Sequence, residues 1–182
     1  MSIPHTPDAS ATNLLSEMKS DIDLYKSGEE IDFAGKYATS LLSIGAVPVL
    51  TELFRSFEDS TLFAYLSAVP FLWKDLPFSA WKQILYRISD STQAIYQFVW
   101  FAAPFLGIDV LSMIDADPHV DERARAFVRL EFPRGAPPSR NWEREVLENS
   151  GVDPVLLWRR LASEGAPMKV DLSRLDQRLA QT

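Results

Sequence analysis

The chain contains no cysteine, which removes disulfides, thiolate metal sites and cysteine nucleophiles together and points to a reducing compartment, the cytoplasm. It has two histidines, His5 and His119, too far apart in sequence for a His-x-x-x-His ligand pair, so zinc chemistry has no donor set. Glycines number seven in 182 residues, and no Gly-x-Gly-x-x-Gly, Walker-type loop or Gly-x-Ser-x-Gly occurs; a phosphate cradle and a nucleophile elbow are therefore both absent. These absences argue against an enzyme, and no cofactor or metal is expected. The longest uncharged run lies between Asp90 and Asp109. It holds Gln93, Gln97 and Pro104 and falls short of the roughly 20 apolar residues that a membrane span needs, so a buried helix pair is expected there. The first ten residues lack the basic and apolar regions of a secretory signal. No stretch sustains the apolar–polar alternation of a strand.

Positive charge is also scarce. Lys and Arg number 18 against 25 Asp and Glu, for a net charge of −7, and the deficit is concentrated early: residues 1–62 carry four basic and ten acidic side chains. A chain of this sign repels nucleic acid, which wants a basic stripe, and its acidic third suits a basic partner whose approach it would steer.

What is present is helical periodicity. Over residues 48–104 the sequence superposes on itself after a shift of about 31 positions, a period typical of repeated helical units. Leu50, Leu53, Phe54 and Phe57 fall on Trp81, Ile84, Leu85 and Ile88, each an i, i+3, i+4, i+7 stripe. Asp59-Ser60-Thr61 falls on Asp90-Ser91-Thr92, each followed by an uncharged helix, with Tyr65 on Tyr96. The unit is a helical hairpin. Before it, a first helix starting near Ser10 or Thr12 carries Leu15, Met18, Ile22 and Tyr25 inward and stops at Gly28. A second, from about Glu30 to Ile44, carries Ala34, Tyr37, Ala38 and Leu41 inward and stops at Gly45. Pro48 suits the start of the next helix, while Pro70 and Pro104 are expected to break the second helices of the two copies. A shorter copy follows, with Val110, Leu111 and Ile114 in its first helix, Asp117 capping the second, and Val120, Ala124, Phe127 and Val128 inward. After a loop at 133–138, Trp142, Val146 and Leu147 mark one helix, Val155, Trp158 and Leu161 another, and Leu172, Leu175 and Leu179 a tail. The expected architecture is all-α: a loose arm over 1–9, one all-helical domain of about five stacked hairpins over 10–165, and a partly helical tail over 166–182.

The Asp115-Ala116-Asp117-Pro118 turn, followed by Val120 and then by Ala124 four positions on, resembles the HEAT-like helical repeats. In those repeats the second helix often starts with an Asp-containing turn, a Val and a small residue at that distance. The resemblance spans roughly 48–130 and implies a compact α-solenoid; Asp121 stands where the family pattern places an Arg. In its acidity, small size and lack of cysteine the chain also resembles small bacterial immunity proteins, which would imply a toxin as partner.

The candidate sites are three. Asp115, Asp117, His119 and Asp121 alternate like calcium ligands, but Val120 and Ala126 occupy the positions where that loop needs Gly and Glu, and helix capping accounts for the same residues. The Arg-rich segment 123–144 is interleaved with acids and reads as a salt-bridged face. The strongest candidate is a partner-binding acidic face: Asp21, Asp23, Glu29, Glu30 and Asp32 crowd the first interhelical turn while Ile22 and Tyr25 point inward. Trp73 beside Asp75, in a linker between repeats, adds a candidate aromatic anchor. The function this implies is a protein-binding module holding a basic protein, such as a toxin-like effector. A helical scaffold within a larger assembly is the alternative, and a nucleic-acid-binding repeat protein the third.

Overall fold

The computed structural model describes residues 5–56, 76–106, 109–135, 177 and 180–181. Among the described residues every regular element is a helix and there is no strand: α1 (Ala9–Lys26), α2 (Phe33–Ile44), α3 (Ala46–Ser56), α4 (Phe78–Ile88), α5 (Thr92–Leu106), α6 (Asp109–Ala116) and α7 (Glu122–Glu131).

The helix ends follow local chemistry. Asp8 caps α1 by accepting from the Ala11 amide at 2.9 Å, so the helix starts before the expected Ser10 or Thr12. At its far end the Gly28 amide bonds the Tyr25 carbonyl and the Glu29 amide reaches back to that of Leu24. This Schellman closure places Gly28 at φ +108°, a conformation that a Cβ disfavours. Asp32 caps α2 through the Gly35 amide at 2.9 Å, which moves the start from the expected Glu30 to Phe33. Gly45, at φ +89°, stops α2 where expected and turns the chain by 104° into α3. Pro48 lies in the first turn of α3 rather than at its first position, still among amides with no intrahelical acceptor. α5 runs on through Pro104 to Leu106. Proline so close to a helix end forfeits one bond of the final turn, and the expected break does not occur.

Six consecutive residues of α3, Val49 to Phe54, are buried, as befits a helix surrounded on all sides. It packs against α1, α2, α4 and α5, and α5 in turn carries α6 and α7. The inward stripes predicted from the repeat are inside: Leu50, Leu53 and Phe54 on α3, and Trp81, Ile84, Leu85 and Ile88 on α4. Phe98 of α5 joins them, its ring edge-on to Phe54 at 5.7 Å and to Trp81 at 5.9 Å. Residues 93–99 of the uncharged run are buried as expected, but in the single helix α5 rather than in a helix pair. No single described helix is long and apolar enough to cross a membrane. The helices expected at 62–69 and between 139 and 165 lie outside the described residues, as do Phe57 and the Asp59-Ser60-Thr61 turn. Of the expected tail, Gln177 and Ala180 have helical backbone.

Candidate functional site

The acidic residues around the α1–α2 turn divide into three groups. Asp21 is not on the solvent face expected of it: it is 8% exposed, and its Oδ2 accepts from Lys36 Nζ at 2.6 Å and from the buried Tyr37 hydroxyl at 2.5 Å. These bonds, that from Lys36 foremost, hold the Asp21 carboxyl below its ordinary range. The same carboxylate raises Lys36, and burial followed by the Asp21 bond raises Tyr37. Asp21 therefore joins α1 to α2. Lys36 also lies 3.4 Å from Glu17. Asp32 is exposed but committed to capping, and a Cβ at Gly35 would collide with its carboxylate, so glycine there lets the cap close. Asp23, Glu29 and Glu30 remain exposed, with no ion pair to any of them among the described residues. Leu24, also exposed, lies among them, its carbonyl receiving the Glu29 amide. The turn thus exposes three carboxylates without an ion pair among the described residues, together with one apolar side chain. Trp73 and Asp75 lie outside the described residues.

The alternating acids of the α6–α7 turn are each occupied. Asp115 pairs with Arg129 at 2.9 Å. Asp117 Oδ1 accepts from the His119 amide at 2.8 Å and faces the ring nitrogen Nδ1 at 3.0 Å. Asp121, not Asp117, caps α7, accepting from the Arg123 amide at 2.9 Å, so the second helix starts one turn later than expected. Among the described residues no three His, Asp or Glu side chains converge as metal ligands would. The Arg-rich face is salt-bridged where it is described: Arg129 reaches Glu122 at 3.3 Å as well as Asp115, and Arg125 bonds the Asp117 carbonyl.

A groove of about 740 Å³ between α4 and α6 was not anticipated. Its α4 wall presents Phe78, Lys82, Tyr86 and Arg87, its α6 wall Asp109 and Met113, and the turn after α6 closes it with Asp117 and His119. Tyr86 stands edge-on to the His119 ring at 4.5 Å. Phe78 and Tyr86 are 52% and 38% exposed. The only signal in the sequence was the i, i+4, i+8 series Phe78, Lys82, Tyr86, which lies outside the buried stripe of the same helix. Two aromatics there exceed what an outward face needs. That α6 faces them depends on tertiary packing.

No protein-family model matches the chain, and neither curated protein sequences nor solved structures give a match.

Proposed function

We propose that the protein is a protein-binding module that holds a basic partner through the α1–α2 turn. The observation that carries this reading is the exposure, in one turn, of Leu24 and of the carboxylates Asp23, Glu29 and Glu30, which have no ion pair among the described residues. An apolar anchor with a charged rim is the ordinary composition of a protein interface. Like charges held close together repel, and a basic surface relieves that repulsion while speeding encounter. A toxin-like effector is the form of partner that the small, acidic, cysteine-free chain suits. A scaffold role in a larger assembly is the second reading, and the equivalent burial of the α3 and α4 stripes, packed side by side, favours hairpins stacked as in HEAT-like repeats.

The test is comparative capture. Immobilised wild type and an Asp23→Lys, Glu29→Lys, Glu30→Lys variant are exposed to lysate of the source cells, and retained proteins are identified and their association rates measured. Asp21 and Asp32 are left intact because both hold the fold. A basic protein retained by the wild type should associate far more slowly with the variant, with a weaker salt dependence and little change in dissociation. A partner held equally by both proteins, or one without excess positive charge, refutes the reading. Several co-assembling subunits in place of one basic protein would select the scaffold.

A further inference from the structure

The groove between α4 and α6 is lined by two basic and two acidic side chains, and the charges on its α4 wall are both basic. Asp117 is engaged by the amide and ring of His119. Asp109 occupies the first turn of α6, where a carboxylate offsets the partial positive charge of the helix end. Lys82 and Arg87 are exposed and, among the described residues, have no carboxylate partner. Two free cations are therefore retained in a chain of net charge −7, on the same wall as Phe78 and Tyr86. These are the two aromatics among the large apolar side chains left exposed by the described part of the fold.

The volume, about 740 Å³, is that of a ligand pocket, but its form is not. A small molecule is typically buried over roughly 70–90% of its surface, whereas here the principal aromatic is half in solvent. An occupant must extend beyond the groove and cover Phe78 from outside, as a segment of polypeptide does. Its charge must answer Lys82 and Arg87, and its apolar part must fill the space over Phe78, Tyr86 and Met113.

We propose that this groove is a second docking site, which takes a short acidic segment of a partner protein. A bulky apolar side chain of the segment packs against Phe78, Tyr86 and Met113, and its carboxylates meet Lys82 and Arg87. The geometry is that of a side-chain anchor in a groove between two helices, with the aromatic contacts giving affinity and the cations selecting sign. The site is independent of the acidic α1–α2 turn.

The full-length protein is panned against a displayed library of short random peptides, and enriched peptides are synthesised and titrated by fluorescence anisotropy. Enrichment of acidic sequences with an aromatic or Leu is expected. Their affinity should fall roughly tenfold or more in Lys82→Glu, Arg87→Glu and Phe78→Ser, and should be unchanged in the triple reversal of Asp23, Glu29 and Glu30. All three groove positions are exposed, and unchanged circular dichroism and melting temperature verify that the variants fold. The milder Lys82→Gln with Arg87→Gln should weaken binding in the same direction. Enrichment of basic or uncharged peptides, no enrichment at all, or acidic peptides whose affinity survives every groove substitution would each overturn the proposal.

Discussion

Phe98 ties three helices together, and its replacement measures how much of the fold rests on that junction. The side chain is fully buried on α5 and meets Phe54 of α3 and Trp81 of α4 edge-on. Phe98→Leu keeps most of the apolar area but abolishes both aromatic pairs, each worth about 0.5–1.5 kcal/mol beyond area burial, so the expected loss is about 1–3 kcal/mol. Phe98→Ala adds a cavity and should cost about 3–5 kcal/mol. That is a large share of the roughly 5–15 kcal/mol that holds a domain together. Guanidinium denaturation followed by far-ultraviolet circular dichroism reads both values. A double-mutant cycle of Phe98→Leu with Phe54→Leu should return a coupling of about 0.5–1.5 kcal/mol, because the two rings touch. If Phe98→Leu is neutral, or if the cycle closes to zero, the aromatic junction is not what joins α3, α4 and α5.

Ala at Leu53 or at Ile84, equivalent inward positions of the two stripes, should each cost about 2–5 kcal/mol. Leu42→Ala, at a site 64% exposed, should stay within about 0.5 kcal/mol; near-neutral results at both core positions would mean that the stripes do not carry the core. Asp21 has its carboxyl lowered in the folded protein, so its contribution to stability is present above the unfolded value near pH 4 and disappears as pH falls through the folded value. Asp21→Asn should accordingly be less stable than wild type at neutral pH, with the gap closing in acid; denaturation midpoints with a constant gap down to low pH would contradict this. Gly28→Ala meets no heavy atom within 4 Å, so only the positive φ resists it, at about 1–2 kcal/mol. A neutral result there would argue against the Schellman closure.

The stripes were legible because a helix buries a face at a fixed period, and Leu50, Leu53, Phe54, Trp81, Ile84, Leu85 and Ile88 keep it without interruption. The stops at Gly28 and Gly45 were legible because only glycine takes those backbone angles cheaply. The starts were not. Between 8 and 12, and again between 29 and 32, several residues can cap, and the choice falls to tertiary contacts such as the one between the Asp8 amide and Glu52. The acidic face was read as one population because burial of a polar helix residue leaves no periodic mark. Asp21 is drawn inside by residues 15 and 16 positions further on, and no local pattern announces that. The groove was hidden for the same reason, since its two walls come from helices separated by the whole of α5.

The Glu52 carboxylate sits inside α3 and has two donors that reach it from before the first helix, the His5 ring at 2.7 Å and the Asp8 amide at 3.1 Å. A polar group removed from water costs about 1–3 kcal/mol when its partners are withdrawn, and more when it is charged. The structural boundary of the folded unit therefore lies at or before His5, not at Ala9 where helical backbone begins. A chain trimmed to start at the first helical residue would strand that carboxylate within the buried run of α3, so recombinant fragments, fusion junctions and protease sites belong upstream of it.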